Sequence, residues 1–139
     1  MHSKIKGNIG ECAVALDLLK KGYAVFTELG DLSKVDLIAL VGSIPIRIQV
    51  KNHQCYNKTG GSIDCVLSKS GPNYRFTYTE RDLDVFAYYI PEIERVIYLS
   101  WKDFSKKKCI VIRYEKNERI TKTTNWYEDY LDFDRCLDA

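Results

Sequence analysis

Apolar residues recur every three or four positions from Ile5 to Leu19, at Ile5, Ile9, Cys12, Ala13, Leu16 and Leu19. This spacing predicts an amphipathic helix that packs that face on a core. Lys20-Lys21-Gly22 closes it, since cations suit a helix C-terminus and glycine the residue beyond. Gly7 and Gly10 are unusual inside such a helix, where each costs about 1 kcal/mol relative to Ala. They are places where another backbone, such as that of a nucleic acid, can come close. Glu11 sits between Gly10 and Cys12, at the edge of the apolar face.

The period then shortens to two. Tyr23-Ala24-Val25-Phe26 reads as a strand and Glu28-Leu29-Gly30-Asp31 as a turn-rich link. Val35 to Val41 is an apolar and β-branched run, Gly42-Ser43 breaks it, and from Pro45 to Lys51 the polar Arg47, Gln49 and Lys51 alternate with Ile46, Ile48 and Val50. Two such runs around a two-residue turn predict a β-hairpin with those three polar side chains on one face. Pairing through Gly42-Ser43 brings Asp36, the one carboxylate of the first run, to the far end of the second strand beside Gln49 and Lys51. A carboxylate at the edge of a strand otherwise buried on both faces needs a partner. A metal ion or Lys51 is that partner, and a lone ion pair would satisfy structure alone.

From Asn52 to Tyr78 polar residues, Gly60-Gly61 and Gly71-Pro72 predict a long excursion with a short irregular hairpin at Ile63 to Leu67. Loops of this length are uncommon unless functional. Lys58, Lys69 and Arg75 stand there among Tyr56, Tyr74 and Tyr78, a mixture suited to phosphate contact and to sugar or base packing. Asp84 to Ile90 and Arg95 to Ser100 read as two further strands split by Pro91-Glu92. Trp101 to Phe104 reads as a short helical turn. The basic cluster Lys106-Lys107-Lys108 precedes a strand from Cys109 to Tyr114 that carries Arg113. Asn125 is placed to cap a helix from Trp126 to Leu137. Its acids Glu128, Asp129, Asp132 and Asp134 suit packing on the body or on another subunit better than facing DNA.

Composition narrows the class. The 139 residues, 45% hydrophobic and 29% charged, fit one globular domain spanning 1–139, without repeat or low-complexity tract. A net charge of +2 means that any nucleic acid would be held by a local basic patch. Five cysteines, Cys12, Cys55, Cys65, Cys109 and Cys136, are odd in number and lack zinc-site spacing, so they read as reduced thiols. No apolar run has the length of a signal peptide or membrane span, which predicts a cytoplasmic protein with no membrane partner.

Four pieces in order, Lys6-Gly7-Asn8-Ile9-Gly10-Glu11, Gly22-Tyr23-Ala24-Val25, Val35-Asp36-Leu37-Ile38 and Ile48-Gln49-Val50-Lys51, resemble the PD-(D/E)XK nuclease superfamily. The similarity is closest to its small cyanobacterial homing endonucleases encoded in group I introns, and more distant to the archaeal Holliday-junction resolvases. It spans residues 4 to 53, and Asp82 to Pro91 adds to it. The resemblance implies an α/β fold, a restriction-endonuclease-like mixed β-sheet flanked by helices, and a homo-oligomer, dimer or tetramer. It matches Asp36 to the motif aspartate, Lys51 to its lysine, and Glu11 to the helical glutamate that many members aim at the same metal. Gln49 departs from the pattern, an amide where most members carry Asp or Glu, and Val35 replaces the motif's proline.

The residue types suit phosphodiester hydrolysis, which needs an activated water, in-line approach and charge stabilisation at the phosphate and the departing oxygen. Mg²⁺, for which Mn²⁺ would substitute, takes oxygen ligands and is held by one or two carboxylates with substrate phosphate. Glu11 and Asp36 supply the carboxylates, Gln49 a neutral oxygen or an orienting contact to water, and Lys51 a compact positive charge. The expected activity is metal-dependent, site-specific cleavage of double-stranded DNA. Lys58, Lys69, Arg75, Lys107 and Arg113 are expected on the DNA, reading the major groove from the long excursion and from the hairpin after Lys108. A junction resolvase or repair nuclease would use the same site on another DNA shape, and a decayed site would leave a DNA-binding module without catalysis.

Overall fold

The computed structural model describes residues 3–52, 60–71, 74–77, 79, 82–105, 107, 109–116 and 124–137. Helix α1 (Ser3–Lys20) leads into strand β1 (Ala24–Thr27), then the hairpin β2 (Leu37–Val41) and β3 (Ile44–Asn52). Gly42 takes φ +62° in the two-residue turn of that hairpin, where L side chains are strained. The hairpin register runs from Val41 opposite Ile44 to Leu37 opposite Ile48, as the alternation predicts. Strands β7 (Val85–Ile90) and β8 (Arg95–Ser100) complete a five-stranded sheet of order β1-β2-β3-β7-β8. Only the β3–β7 pair is parallel, so the sheet is mixed.

The sheet buries both faces. On one, Leu37, Ala39, Ile48, Val85, Ala87 and Tyr98 pack under Val14 and Leu18 of α1, with Phe133 joining from near the C-terminus. On the other, Phe86, Tyr88, Ile90, Ile97 and Leu99 meet Ile63, Cys65, Ile110 and Ile112 from an antiparallel ribbon of β4 (Ser62–Val66) and β9 (Cys109–Arg113). A second hairpin, β5 (Ser68–Gly71) and β6 (Tyr74–Thr77), follows β4, and the short helix α2 (Trp101–Phe104) follows β8.

Several expectations change. The face of α1 against the sheet is Gly10, Val14 and Leu18, with Gly7, Glu11 and Asp17 half-buried beside it. Ile5, Ile9, Cys12, Leu16 and Leu19, the expected core face, point to solvent and only Ala13 is half-buried. Gly10 therefore faces this protein's own sheet, not a nucleic acid. The strand at Ile63 to Leu67 exists, but it forms no hairpin of its own and pairs with β9, from Ser62 opposite Arg113 to Val66 opposite Cys109. The C-terminal segment is two 3₁₀ helices, Tyr127–Tyr130 and Phe133–Leu137, broken at Leu131-Asp132, in place of one α-helix. Asn125 does not cap it, because its side chain is committed elsewhere: Nδ2 donates to the Val111 carbonyl (3.2 Å) and Oδ1 accepts from Tyr130 Oη (3.1 Å). Cys12, Cys65, Cys109 and Cys136 are free thiols, while Cys55 lies outside the described residues. Among the described residues no helix is long and apolar enough to cross a membrane.

Candidate active site

Strand β3 is central in the sheet and half-buried at Arg47, Gln49 and Lys51, so each polar side chain must find a partner across the strand edges. Asp36 immediately precedes β2, and its N–H donates to the Ile48 carbonyl (2.9 Å), which extends the hairpin ladder by one residue. Its Oδ2 accepts two hydrogen bonds from β3, the Val50 N–H at 2.8 Å and Gln49 Nε2 at 3.0 Å. The carboxylate is thereby fixed against the strand, while the loop before it is shaped by its own bonds. Glu28 accepts the N–H groups of Leu32 (3.1 Å) and Ser33 (3.0 Å), and Lys34 reaches Asp82 at 3.3 Å.

Glu11 comes to Asp36 from the helix. One position past the buried Gly10, it lies at the margin of the sheet-facing side of α1, close enough to Asp36 for each carboxyl group to act on the other's ionisation. Burial raises the Glu11 carboxyl above its ordinary range, and the negative charges of Asp36 and Asp31 add to the rise. Burial raises Asp36 as well; the Val50 N–H and the positive charge of Lys51 oppose it. Lys51 Nζ stands 5.8 Å over the Phe86 ring, a cation–π contact that holds the ammonium on the same strand as Gln49. The hairpin and α1 thus bring Glu11, Asp36, Gln49 and Lys51 into one cluster.

One atom of the cluster is unsatisfied. Because Gln49 spends its Nε2 on Asp36, its Oε1 is buried with no hydrogen-bond partner. A buried acceptor in this condition costs about 1–3 kcal/mol, so it marks a place that a ligand can complete. Among the described residues no group of three or more His, Cys, Asp or Glu is placed to hold a metal, and position 49 carries an amide. The donor set is instead two like-charged carboxyl groups and one stranded amide oxygen. All are hard oxygen donors that gain from a small divalent cation, so the residues present fit Mg²⁺. Beside the cluster an open cavity of about 280 Å³ is lined by Phe26, Glu28, Val35, Asp36 and Arg47 among others.

Arg47, two residues before Gln49, plays a different part. Its Nε donates to Asp84 Oδ2 and its Nη2 to Asp84 Oδ1, both at 3.1 Å, and its backbone N–H also donates to Oδ2 at 2.9 Å. Asp84 stands out in the sequence only as the polar start of the β7 run, and nothing local ties it to Arg47, 37 positions away. The Glu28 loop bonds escape sequence reasoning for the same kind of reason, since they depend on a turn the sequence leaves unspecified.

The expected DNA-contacting residues are scattered. Lys58 lies outside the described residues. Lys69 is on β5 and Arg75 on β6, where the register pairs Lys69 with Phe76 and Ser70 with Arg75. Lys107 is exposed in the turn after α2, and Arg113 ends β9 with its Nε donating to the Glu115 carbonyl (3.0 Å).

Known proteins agree with this architecture. The profile of PD-(D/E)XK endonucleases matches residues 1–133. No curated protein matches the sequence. Among solved structures, that of a bacterial homing endonuclease, I-Ssp6803I, matches with a TM-score of 0.75 at 25% identity, covering 94% of this chain and 88% of that one. The mixed sheet with its flanking helix is therefore a restriction-endonuclease-like fold, and the chain belongs to the PD-(D/E)XK endonuclease family.

Proposed function

We propose that the protein is a divalent-metal-dependent, site-specific endodeoxyribonuclease of the homing type, cutting double-stranded DNA as a homo-oligomer in the cytoplasm. The observation that carries this reading is the buried Oε1 of Gln49, which has no hydrogen-bond partner, beside the neighbouring carboxyl groups of Glu11 and Asp36. The match to a bacterial homing endonuclease over most of both chains supports the choice of DNA as substrate.

Glu11, Asp36 and Gln49 Oε1 would hold Mg²⁺, or Mn²⁺ in its place. When bound, the ion supplies a water acidic enough to be nucleophilic near neutral pH and a positive charge for the phosphate oxygens. The protein side is built for rigidity and charge. The bond from the Val50 N–H aims the Asp36 carboxylate and limits its reorganisation, and Gln49 Nε2 holds it from the same side. Lys51, steadied over Phe86, would supply a positive charge to offset the negative charge that grows on the phosphate as the bond breaks. Lys58, Lys69, Arg75, Lys107 and Arg113 supply phosphate and base-edge contacts away from the reacting bond. One site cuts one strand, so a double-strand break needs a second copy.

The test is incubation of the protein with supercoiled plasmid, linear duplex and a four-way junction, each with Mg²⁺ or EDTA. Mg²⁺-dependent cutting of plasmid and duplex is expected. Cutting of the junction alone makes it a resolvase, and binding without cutting of any substrate makes it an inert DNA-binding module.

A further inference from the structure

Strands β1 and β2 pair from Ala24 opposite Leu40 to Thr27 opposite Leu37, so residues 28–36 form a closed loop that leaves β1 and delivers Asp36 to the site. The loop is braced from within. The Glu28 carboxylate accepts the Leu32 and Ser33 N–H groups across it, and Ser33 Oγ accepts the Val35 N–H at 3.1 Å. Its cation, Lys34, is drawn away to Asp82. Asp31 is exposed within the span that Glu28 closes, and among the described residues no hydrogen bond or ion pair takes up its carboxyl group. The other acids around the site are spent: Glu28 on backbone N–H groups, Asp82 on Lys34 and Thr79, Asp84 on Arg47. Asp31 instead has neighbours of its own sign, close enough for its charge to act on both Glu11 and Asp36. A braced loop that keeps a third carboxylate near two others costs the chain energy unless a cation joins them.

We propose that Asp31 is a positioning residue for the divalent ion of the Glu11, Asp36 and Gln49 site, accepting a hydrogen bond from one of the ion's waters and supplying the negative charge that position 49 lacks. This rests on the nuclease reading of that site. Among the described residues no three acids stand together as direct metal ligands, so Asp31 acts through water. That suits Mg²⁺, which keeps several of its waters when a protein holds it. Carboxylates that bind such waters set how tightly the ion is held. The charges agree as well. Glu11 and Asp36 bring two negative charges, Gln49 brings none, and Lys51 stands beside them with a positive one. With a divalent ion in place, the three carboxylates of Glu11, Asp31 and Asp36 balance the ion and the Lys51 ammonium together.

The loop's internal bonds give the role its precision. Asp31 and Asp36 sit on one short segment anchored at both ends by the β1–β2 pairing, so the carboxylate that would touch the ion and the one that would hold its water are set by the same frame.

Isothermal titration of the full chain with Mn²⁺, without DNA, reads this role apart from cleavage. Asp31→Asn, which removes the charge and keeps the shape, should weaken Mn²⁺ binding by about tenfold. Asp31→Glu, which keeps the charge, should stay within about threefold of the wild type. Glu94→Gln, which removes an exposed acid from the turn between β7 and β8, should leave the affinity unchanged. In EDTA, Asp31→Asn should melt no lower than the wild type, because it relieves like charges and leaves the Glu28 brace intact. Unchanged Mn²⁺ affinity in Asp31→Asn overturns the proposal. So does an equal loss in Glu94→Gln, which would make the effect one of net charge, or an equal loss in Asp31→Glu, which would make it one of loop shape. A wild type that cuts DNA while Asp31→Asn binds Mn²⁺ as tightly fails this inference alone. A wild type that binds Mn²⁺ about tenfold more tightly than Asp31→Asn but cuts no DNA fails only the nuclease reading.

Discussion

Strand β3 carries two carboxylates at its edges, Asp84 on the β7 side and Asp36 on the β2 side, and both are anchored by the same device. Each accepts a backbone N–H of β3, from Arg47 at 2.9 Å for Asp84 and from Val50 at 2.8 Å for Asp36. Beyond that they diverge. Both oxygens of Asp84 are taken by the Arg47 guanidinium, and the pair is neutral and closed. Asp36 receives only a neutral amide on the same oxygen that the Val50 N–H occupies, and it faces a second carboxyl group, Glu11. Position 47 supplies a cation to its carboxylate, whereas position 49 supplies an amide with one oxygen left stranded. The first cluster is finished within the fold. The second keeps an unsatisfied acceptor beside two carboxyl groups, and it is the one we propose a metal ion completes.

The largest expected effect lies at the open cluster. Asp36→Ala or Lys51→Ala should lower Mg²⁺-dependent plasmid cleavage by about 10³-fold or more, since each removes charge that acts where the phosphate reacts. DNA affinity, measured by fluorescence anisotropy, should change only a few-fold. Undiminished cleavage by either variant would remove these residues from the chemistry. At the closed cluster the consequence is the reverse: Asp84→Ala removes the acceptor of the Arg47 N–H and guanidinium, which are partly exposed, and should lower stability to urea by about 1 kcal/mol while the folded protein still cleaves. Equal loss of cleavage per folded molecule in both variants would erase the distinction.

The contrast between positions 47 and 49 is half legible in the sequence. The hairpin is local, with a two-residue turn that fixes which residues face each other, so the alternation of the chain suffices to bring Asp36, Gln49 and Lys51 together. Glu11 requires a helix packed on that hairpin with the right rotation, and periodicity alone selects the wrong side. The reason is that the outer stripe of α1 holds the larger apolar residues, Ile5, Ile9, Leu16 and Leu19, while the side that meets the sheet closely uses Gly10, Val14 and Leu18. Small residues at a tight contact leave a weak hydrophobic signal. The ribbon is hidden for a different reason: β4 has the alternation of a strand, with Ile63 and Cys65 buried and Asp64 and Val66 exposed, but nothing in it names β9 as its partner. The Arg47–Asp84 pair is hidden in the same way, because it depends on the parallel crossover from β3 to β7.

Gln49→Glu sharpens the comparison by changing the open cluster from two carboxylates and an amide to three carboxylates. The added charge should tighten Mn²⁺ binding by about tenfold in isothermal titration. In EDTA the same variant should melt earlier than the wild type, because a third carboxylate joins two that already oppose one another. Unchanged metal affinity would mean that position 49 does not face the ion.

The smallest effect is an acid-limb difference in stability, and there the open cluster and the loop pair Lys34–Asp82 should have opposite signs. Burial raises the Asp36 carboxyl, so the folded state holds its proton more tightly than the unfolded chain does. Keeping it ionised is then a penalty, fully present above the raised folded value and gone below about pH 4, the ordinary range of an unfolded aspartate. Asp82 is lowered: its own partial desolvation is outweighed by the Thr79 N–H, the Lys34 ammonium and the Thr79 hydroxyl. Its contribution is therefore favourable above about pH 4 and is lost as the pH falls through the lower folded value. In EDTA near neutral pH, Asp36→Asn should raise the melting temperature and Asp82→Asn should lower it, each by about a degree or two. The gain from Asp36→Asn should shrink steadily on acidification and vanish near pH ~4, whereas the loss from Asp82→Asn should persist to that point and fade only below it. A gain for Asp36→Asn that is as large at pH ~4 as at neutrality would show that its carboxylate is no burden in the folded chain, and the open cluster would then be as settled as the closed one.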